Sequence, residues 1–134
     1  DKTILLWDVE TEELLGEPIE WHSEGIGGLA FSPDGMILAS GGWDQSIALM
    51  DVDSRQVIGQ PLTGHTDLVN SLSWHPGGRQ LASASHDGTV IVWDLDPDSW
   101  VRKACQRAGR NLSQAEWAIY YPGENYRPTC PEYE

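Results

Sequence analysis

The stretch from Leu81 to Leu95 reads "LASASHDGTVIVWDL" and brings a serine, a histidine and an aspartate within a few positions. Ser83, His65 and Asp87 are the residue types of an acyl-transfer site. In such a site an imidazole takes the proton of a hydroxyl nucleophile, and a carboxylate orients the imidazole. The same trio occurs a second time as His22, Ser40 and Asp44, each residue 43 positions upstream of its counterpart. A hydrolase needs one exposed nucleophile beside an oxyanion hole. A trio that recurs at a fixed offset, with each serine inside a run of strand-forming residues, reads as a structural device. A buried aspartate is costly unless its oxygens accept hydrogen bonds, and an imidazole can donate to it while accepting elsewhere. His86 lies outside the repeated trio and reads as a loop residue on the surface.

Other chemistry is missing from the sequence. There is no GxxxxGK[ST] loop for phosphate, no HExxH and no GxSxG. "DVDS" at residues 51–54 falls short of a calcium loop, and no Cys/His cluster has zinc spacing, so neither a metal nor a cofactor is expected. Glu12 and Glu13 are adjacent carboxylates in a polar link and read as solvated surface. Net charge is −13, and all of it falls on residues 1–96, which carry 3 basic and 16 acidic side chains; residues 97–134 are neutral. So acidic a body repels phosphate backbones, which argues against a nucleic-acid partner. The apolar runs are too short to span a membrane, and no signal peptide is visible. The two cysteines, Cys105 and Cys130, fit a reducing cytoplasm. They lie in one small segment, where a contact between them is possible but not readable from sequence.

Internal repetition organises the chain. "LLWDV", "ALMDV" and "IVWDL" place Asp8, Asp51 and Asp94 at intervals of 43 residues, and Asp1, Asp44 and Asp87 form another such set. Within each period, "GGLAF" and "NSLSW" precede the turns "SPDG" and "HPGG". "MILASG" and "QLASAS" follow, then the turns "DQS" and "DGT", then "IALMDV" and "VIVWDL". Pro and Gly supply the turn geometry, and β-branched and aromatic residues the strands. "QVIGQPL" is a weaker fourth run whose Pro61 suits an edge. Four short antiparallel strands per period make one propeller blade.

These residues resemble the WD40 family over positions 1 to 96. The match rests on "GHTD" at residues 64–67, "LAS" twice, the turn aspartates, and the "WD" pairs Trp7–Asp8 and Trp93–Asp94. The resemblance implies a buried hydrogen-bonded chain in each blade: His65, Ser83, Asp87 and Trp93 in the last, and His22, Ser40 and Asp44 in the middle one. Met50 stands where the middle blade would have its Trp, so that chain should stop one link short. The expected fold is all-β, an incomplete WD40 propeller of about two and a half four-stranded antiparallel blades. Blade boundaries fall near residues 21 and 64, and a small two-helix tail follows. Opening on Asp1 in mid-blade, the chain reads as the C-terminal part of a longer protein. Assembly with copies of itself and an isolated curved stack are the alternatives. The last repeat lacks an outer strand, which the resemblance implies is supplied by a segment upstream.

The resemblance also implies a binding surface where the His-bearing loops and the turns before the aspartates emerge. That carries over to Trp43 and His86, to Asp67 and Leu68, and to Trp21, which stands where the other repeat has Gly64. Trp21 and Trp43 either anchor a partner or fill a gap between blades.

The pattern changes at "DLDPDSW". Asp96 caps a helix with Pro97 at its first position, and Trp100, Ala104 and Ala108 share a face adjoined by Val101 and Cys105. Gly109 ends it, with Arg107 and Arg110 at the favourable end of its dipole. Ser113 and Glu116 form a capping box for a second short helix, and Leu112 with Trp117 a hydrophobic staple. Pro122–Gly123 should end that helix, and "YRPTCP" at residues 126–131 should be extended. Helices this small should pack on the propeller. "WVRKACQRAGRNLSQAEW…YRPTCP" resembles the closing segment of bacterial multidomain WD40 proteins, whose propellers are joined to STAND-type NTPases or other effector modules. The sequence therefore points to a cytoplasmic, non-catalytic protein-binding scaffold, a sensor arm of a signalling protein. A self-assembling module and a hydrolase using Ser83, His65 and Asp87 are the competing readings.

Overall fold

The computed structural model describes residues 2–111, 113–120, 125–128 and 130, and the chain divides into two compact units at Trp93/Asp94. In the first unit, β1 (Thr3–Ile4) pairs antiparallel with β2 (Ile19–Glu20), and an isolated bridge joins Trp7 to Leu14. A four-stranded sheet follows in the order β3 (Ile26–Phe31), β4 (Ile37–Gly42), β5 (Ser46–Asp51), β6 (Leu62–Thr63). A three-stranded sheet contains β7 (Val69–Trp74), β8 (Gln80–Ser85) and β9 (Val90–Asp94). The run containing Pro61 forms only a two-residue outer strand and a Met50–Val57 bridge, since proline withholds a ladder donor.

Turn chemistry sets the strand lengths. In "SPDG", the Ser32 hydroxyl donates to Asp34 Oδ1 at 2.6 Å and accepts from the Ile37 amide, and Gly35 takes a φ of 73°. In "HPGG", His75 Nδ1 accepts from the Gly77 amide at 3.0 Å. The 43-residue offset reaches the backbone itself. The bulge at Ile26/Gly28 recurs at Val69/Ser71. The left-handed turn position is Gly88 in the last sheet and Gln45 in the four-stranded one.

The sheets pack face to face. Ile4 and Ile19 of the first meet Leu38 and Met50 of the second, and Leu6, Trp21, Ile26 and Val52 ring that cluster. On the other side, β3 and β4 press against β7. A Cβ on Gly27 would lie 2.3 Å from the Val69 carbonyl oxygen, and one on Gly41 2.7 Å from Val69 Cγ1. The Trp74 indole donates to the Ala30 carbonyl at 3.0 Å, a further link between the two inner strands. Val90 and Val92 of β9 are well exposed, and among the described residues no other sheet of the first unit pairs with or follows β9.

The second unit opens with Asp94, whose carboxylate accepts from Ser99 and Lys103 and whose carbonyl accepts from the Trp100 indole. Those contacts explain why the division falls before residue 96. Helix α1 (Pro97–Ala108) has Asp96 as its N-cap and Gly109, at φ 65°, as its C-cap. Helix α2 (Gln114–Tyr120) begins with the reciprocal Ser113–Glu116 hydrogen bonds, and Arg110 grips the same Glu116 carboxylate at 2.7 and 2.8 Å. Arg110 and then Ser113 hold that carboxyl down to about 2. The expected staple partner Leu112 and the expected stop at Pro122–Gly123 lie outside the described residues. The buried residue of α1 is Cys105, whereas Trp100 and Val101 are about half exposed. The reason is covalent: Cys105 and Cys130 form a disulfide.

Gly27→Ala is expected to lower the stability of the first unit by ~1–3 kcal/mol, the range for overpacking a tight contact. Asn70→Ala, at the equivalent point 43 residues on, should stay within about 0.5 kcal/mol because Asn70 is exposed. Urea unfolding of both variants checks the contrast.

Candidate functional site

In the last sheet the polar side chains form one continuous chain. His65 Nδ1 lies 2.8 Å from Asp87 Oδ2, and His65 Nε2 lies 2.7 Å from Ser83 Oγ. The Trp93 indole donates to Ser83 Oγ at 2.8 Å. A neutral imidazole protonated on Nδ1 satisfies every link: Trp93 donates to Ser83, Ser83 to His65, and His65 to Asp87. Thr89 donates to Asp87 Oδ1 through both hydroxyl and amide, at 2.6 and 2.8 Å, and the Thr66 amide donates to Oδ2. Thr89, the Thr66 amide and His65 together hold the Asp87 carboxyl well below the usual range, against the opposing pull of partial burial.

The four-stranded sheet repeats the design with one substitution. His22 Nδ1 sits 3.0 Å from Asp44 Oδ1, and His22 Nε2 sits 2.9 Å from Ser40 Oγ. Ser46 and the Ser23 amide take the places of Thr89 and Thr66. Burial pushes the Asp44 carboxyl up, but hydrogen bonds from Ser46, His22 and the Ser23 amide outweigh it and hold it low. Met50 stands where Trp93 does and is fully buried among Ile4, Ile19 and Leu38. Burying a methionine stabilises by ~1.5–3 kcal/mol, more than the ~0.5–1.5 kcal/mol net value of one hydrogen bond. Apolar packing thus replaces the last polar link without loss.

The hydroxyl partners at the Asp+2 position escaped the sequence reading, which took "DQS" and "DGT" only as turns. Their signal was present: Ser46 and Thr89 are 43 residues apart and share a hydroxyl.

Bond by bond, His65, Ser83 and Asp87 match a Ser-His-Asp triad. Access separates the two. Ser83 is 1% exposed and Ser40 0%, and both histidines are 5% exposed. Ser83 Oγ also accepts from Trp93, whose ring lies beside it, and burial keeps a substrate carbonyl from the hydroxyl. Among the described residues no group of three or more His, Cys, Asp or Glu is arranged to hold a metal ion. No helix among them is long and apolar enough to cross a membrane.

The surface residues divide differently. Trp43 is 55% exposed, its ring resting on Gly25, where a Cβ would come within 3.1 Å. Its amide donates to the Gly25 carbonyl, and His86 donates to the Leu68 carbonyl in the same way. His86 and Asp67 are exposed and Leu68 is half-buried. Trp21 is the exception: it is half-buried against the Ile4–Ile19–Leu38–Met50 cluster, because its ring fills the seam beside the two-stranded sheet. One feature had no sequence signal. A shallow groove of about 240 Å³ on the open side of the last sheet is lined by Ser73, Trp74, His75, Gln80, Ala82 and Val92.

Sheets that repeat every 43 residues, each pinned by a sealed His-Ser-Asp chain, define a blade stack of the β-propeller class. The WD domain, G-beta repeat family matches residues 14–51 and 56–94. The chain belongs to the WD40 repeat family, and its fold is an incomplete WD40 propeller followed by two short helices. Among solved structures it is similar to the WD40 repeats of RRP9 and to U3-55K, each at 36% identity, TM-score 0.67 and 71% coverage of this chain. It spans 30% of the length of each of those chains. No curated protein matches it.

Ser83→Ala strands both the His65 and Trp93 partners and is expected to destabilise the first unit by ~2–3 kcal/mol; Ser40→Ala strands only His22 and should cost about 1–2 kcal/mol. Equal losses in denaturant titrations would show that the Trp93 link contributes nothing. Acid should act on both aspartates in the same direction. Their folded acidity lies below the unfolded value near ~4, so their contribution is complete above about pH 4 and is lost as pH falls further. Thermal melting from pH 7 to pH 2.5 should be flat down to about pH 4 and then decline. Asp44→Asn with Asp87→Asn should flatten that decline.

Proposed function

We propose that the chain is a non-catalytic protein-binding scaffold, the C-terminal blades of a propeller that act as the sensor arm of a larger bacterial, cytoplasmic signalling protein. The observation that carries the scaffold reading is a contrast of access. The groups able to do acid–base chemistry are sealed inside the blades, while a large aromatic stands preset on the loop face. Trp43 has little side-chain freedom left to lose on binding, since its ring already rests on Gly25, and fixed exposed aromatics make effective interface anchors. His86, Asp67 and Leu68 extend the same face, and the charge of −13 favours a protein partner over nucleic acid. The signalling context is supported by the likeness of the closing segment to that of bacterial multidomain WD40 proteins.

The groove beneath Val92 supports a second partner, a further blade. That blade comes from upstream in the same polypeptide or, as the alternative reading, from another copy of the chain. In the four-stranded sheet the equivalents of Ala82 and Val92 are Ala39, which is fully buried, and Leu49, which is half-buried. A neighbouring blade covers them there.

A displayed peptide library selected on the 134-residue chain tests the scaffold reading. Selected binders should lose about tenfold or more in affinity for Trp43→Ala, while that variant melts within about 2 °C of the parent. Binders that ignore the substitution, or ester turnover that disappears in Ser83→Ala, would remove the proposal.

A further inference from the structure

The second unit of the chain is crossed by a disulfide bond. Both cysteines of the sequence are in it, and they are joined across a separation of 25 residues. The contacts around them have a common arrangement. Along the C-terminal strap, Tyr126 and Arg127 lie against α2, and Cys130 is bonded to α1. Tyr126 meets the Trp117 ring edge-on at a centroid distance of 5.9 Å, and the Arg127 guanidinium sits 5.8 Å over the same ring. At the end of the segment, the Asn111 side chain holds the Cys130 backbone from both sides. Its Oδ1 accepts from the Cys130 amide at 2.7 Å, and its Nδ2 donates to the Cys130 carbonyl at 3.2 Å. That two-point grip sets Cys130 opposite Cys105.

Tyr126 is exposed and Arg127 sits at the surface. The buried side chains of the unit are Cys105, Trp117 and Cys130 among the described residues. A unit of this size buries too little apolar surface to fold firmly without a covalent or metal staple. The blades contain no cysteine, so a thiol reagent acts on the second unit alone.

We propose that the Cys105–Cys130 pair is a reversible thiol–disulfide modification site, and that the second unit is folded or opened according to its oxidation state. The exchanging partner is a dithiol or disulfide of the small-molecule or thioredoxin-like class. In the reducing direction one thiolate of the partner attacks a sulfur of the pair, forming a mixed disulfide and releasing one cysteine thiolate. The partner's second thiolate then displaces the other cysteine. The products are two protein thiols and an oxidised partner, with two electrons and two protons passed to the protein. Both cysteines are covered in the folded unit, so exchange waits on local opening of the strap and proceeds over minutes to hours without a catalyst. The oxidised unit presents the strap closed over Trp117. In the reduced unit the strap is released, and that ring with its neighbours is uncovered. In a reducing compartment the reduced form is the resting one, and oxidation is the signal.

Hydrogen exchange on the full 134-residue chain tests the proposal, with and without a dithiol reductant. Reduction should cut amide protection in α2 and at Cys130 by roughly a hundredfold, the loss expected from reopening a loop of this length. Protection in β3, β4, β7 and β8 should be unchanged. Cys105→Ser with Cys130→Ser should reproduce the reduced pattern without reductant. Incubation in graded glutathione thiol/disulfide buffers should give half-oxidation at a ratio within the range cells maintain. Asn111→Ala should move that midpoint toward the reduced form. Two free thiols after oxidative incubation, unaltered protection on reduction, loss of protection that spreads to the blades, or a bond that opens only in excess strong dithiol would each overturn the proposal.

Discussion

The hydrogen bond between an imidazole and the turn aspartate is the constraint on which the first unit depends. It joins the loop before a sheet's first strand to the turn between its second and third strands. Through Ser40 or Ser83 it also reaches the middle of the second strand. Three segments distant in sequence are fixed by one side chain. The carboxylate anchors the arrangement because its oxygens accept from the imidazole, a hydroxyl and backbone amides. With each member satisfied, burial of polar groups selects one strand register; an unpaired member would instead penalise the fold.

The two sheets that carry this chain end it differently, and the difference shows which part is essential. Trp93 extends the polar chain and reaches Ser83, whereas Met50 abandons it for apolar packing against Ile4, Ile19 and Leu38. The His-Ser-Asp segment is kept in both. The fourth position is therefore filled either by an indole that donates to the serine or by a methionine that packs in the core. Triad geometry by itself does not make a hydrolytic site. Two bond lengths and three residue types agree with a catalytic site, but a nucleophile must also meet its substrate, and Ser83 is closed off by the chain that organises it.

The two units reach stability by separate routes. The first unit uses repetition, in which each sheet covers the face of its neighbour and a polar chain pins the four-stranded and the three-stranded sheet. Residues 94–130 use end-caps, a doubly gripped carboxylate at Glu116 and a disulfide. The second route suits a short segment whose helices have narrow apolar faces. It also makes that unit dependent on chemistry outside the chain, as the blades are not.

Sequence alone was enough for the blades. An offset of 43 residues aligned turns, strands and polar trios without a gap, since blade geometry is local and periodic and prints itself on the residue pattern. Caps at Asp96, Gly109 and Ser113 were equally legible, because capping depends on neighbours three or four positions away. Three matters were decided only by tertiary structure. Trp21 and Trp43 are the same residue type, each next to a member of the same polar trio, yet one packs into the seam between sheets and the other stands on Gly25 in solvent. The bond between Cys105 and Cys130 depends on where Asn111 holds a distant segment. The groove under Val92 is formed by side chains of all three strands of the last sheet. Each turns on contacts between residues far apart in the chain, and a pattern read along one strand at a time carries no record of which distant surface meets it.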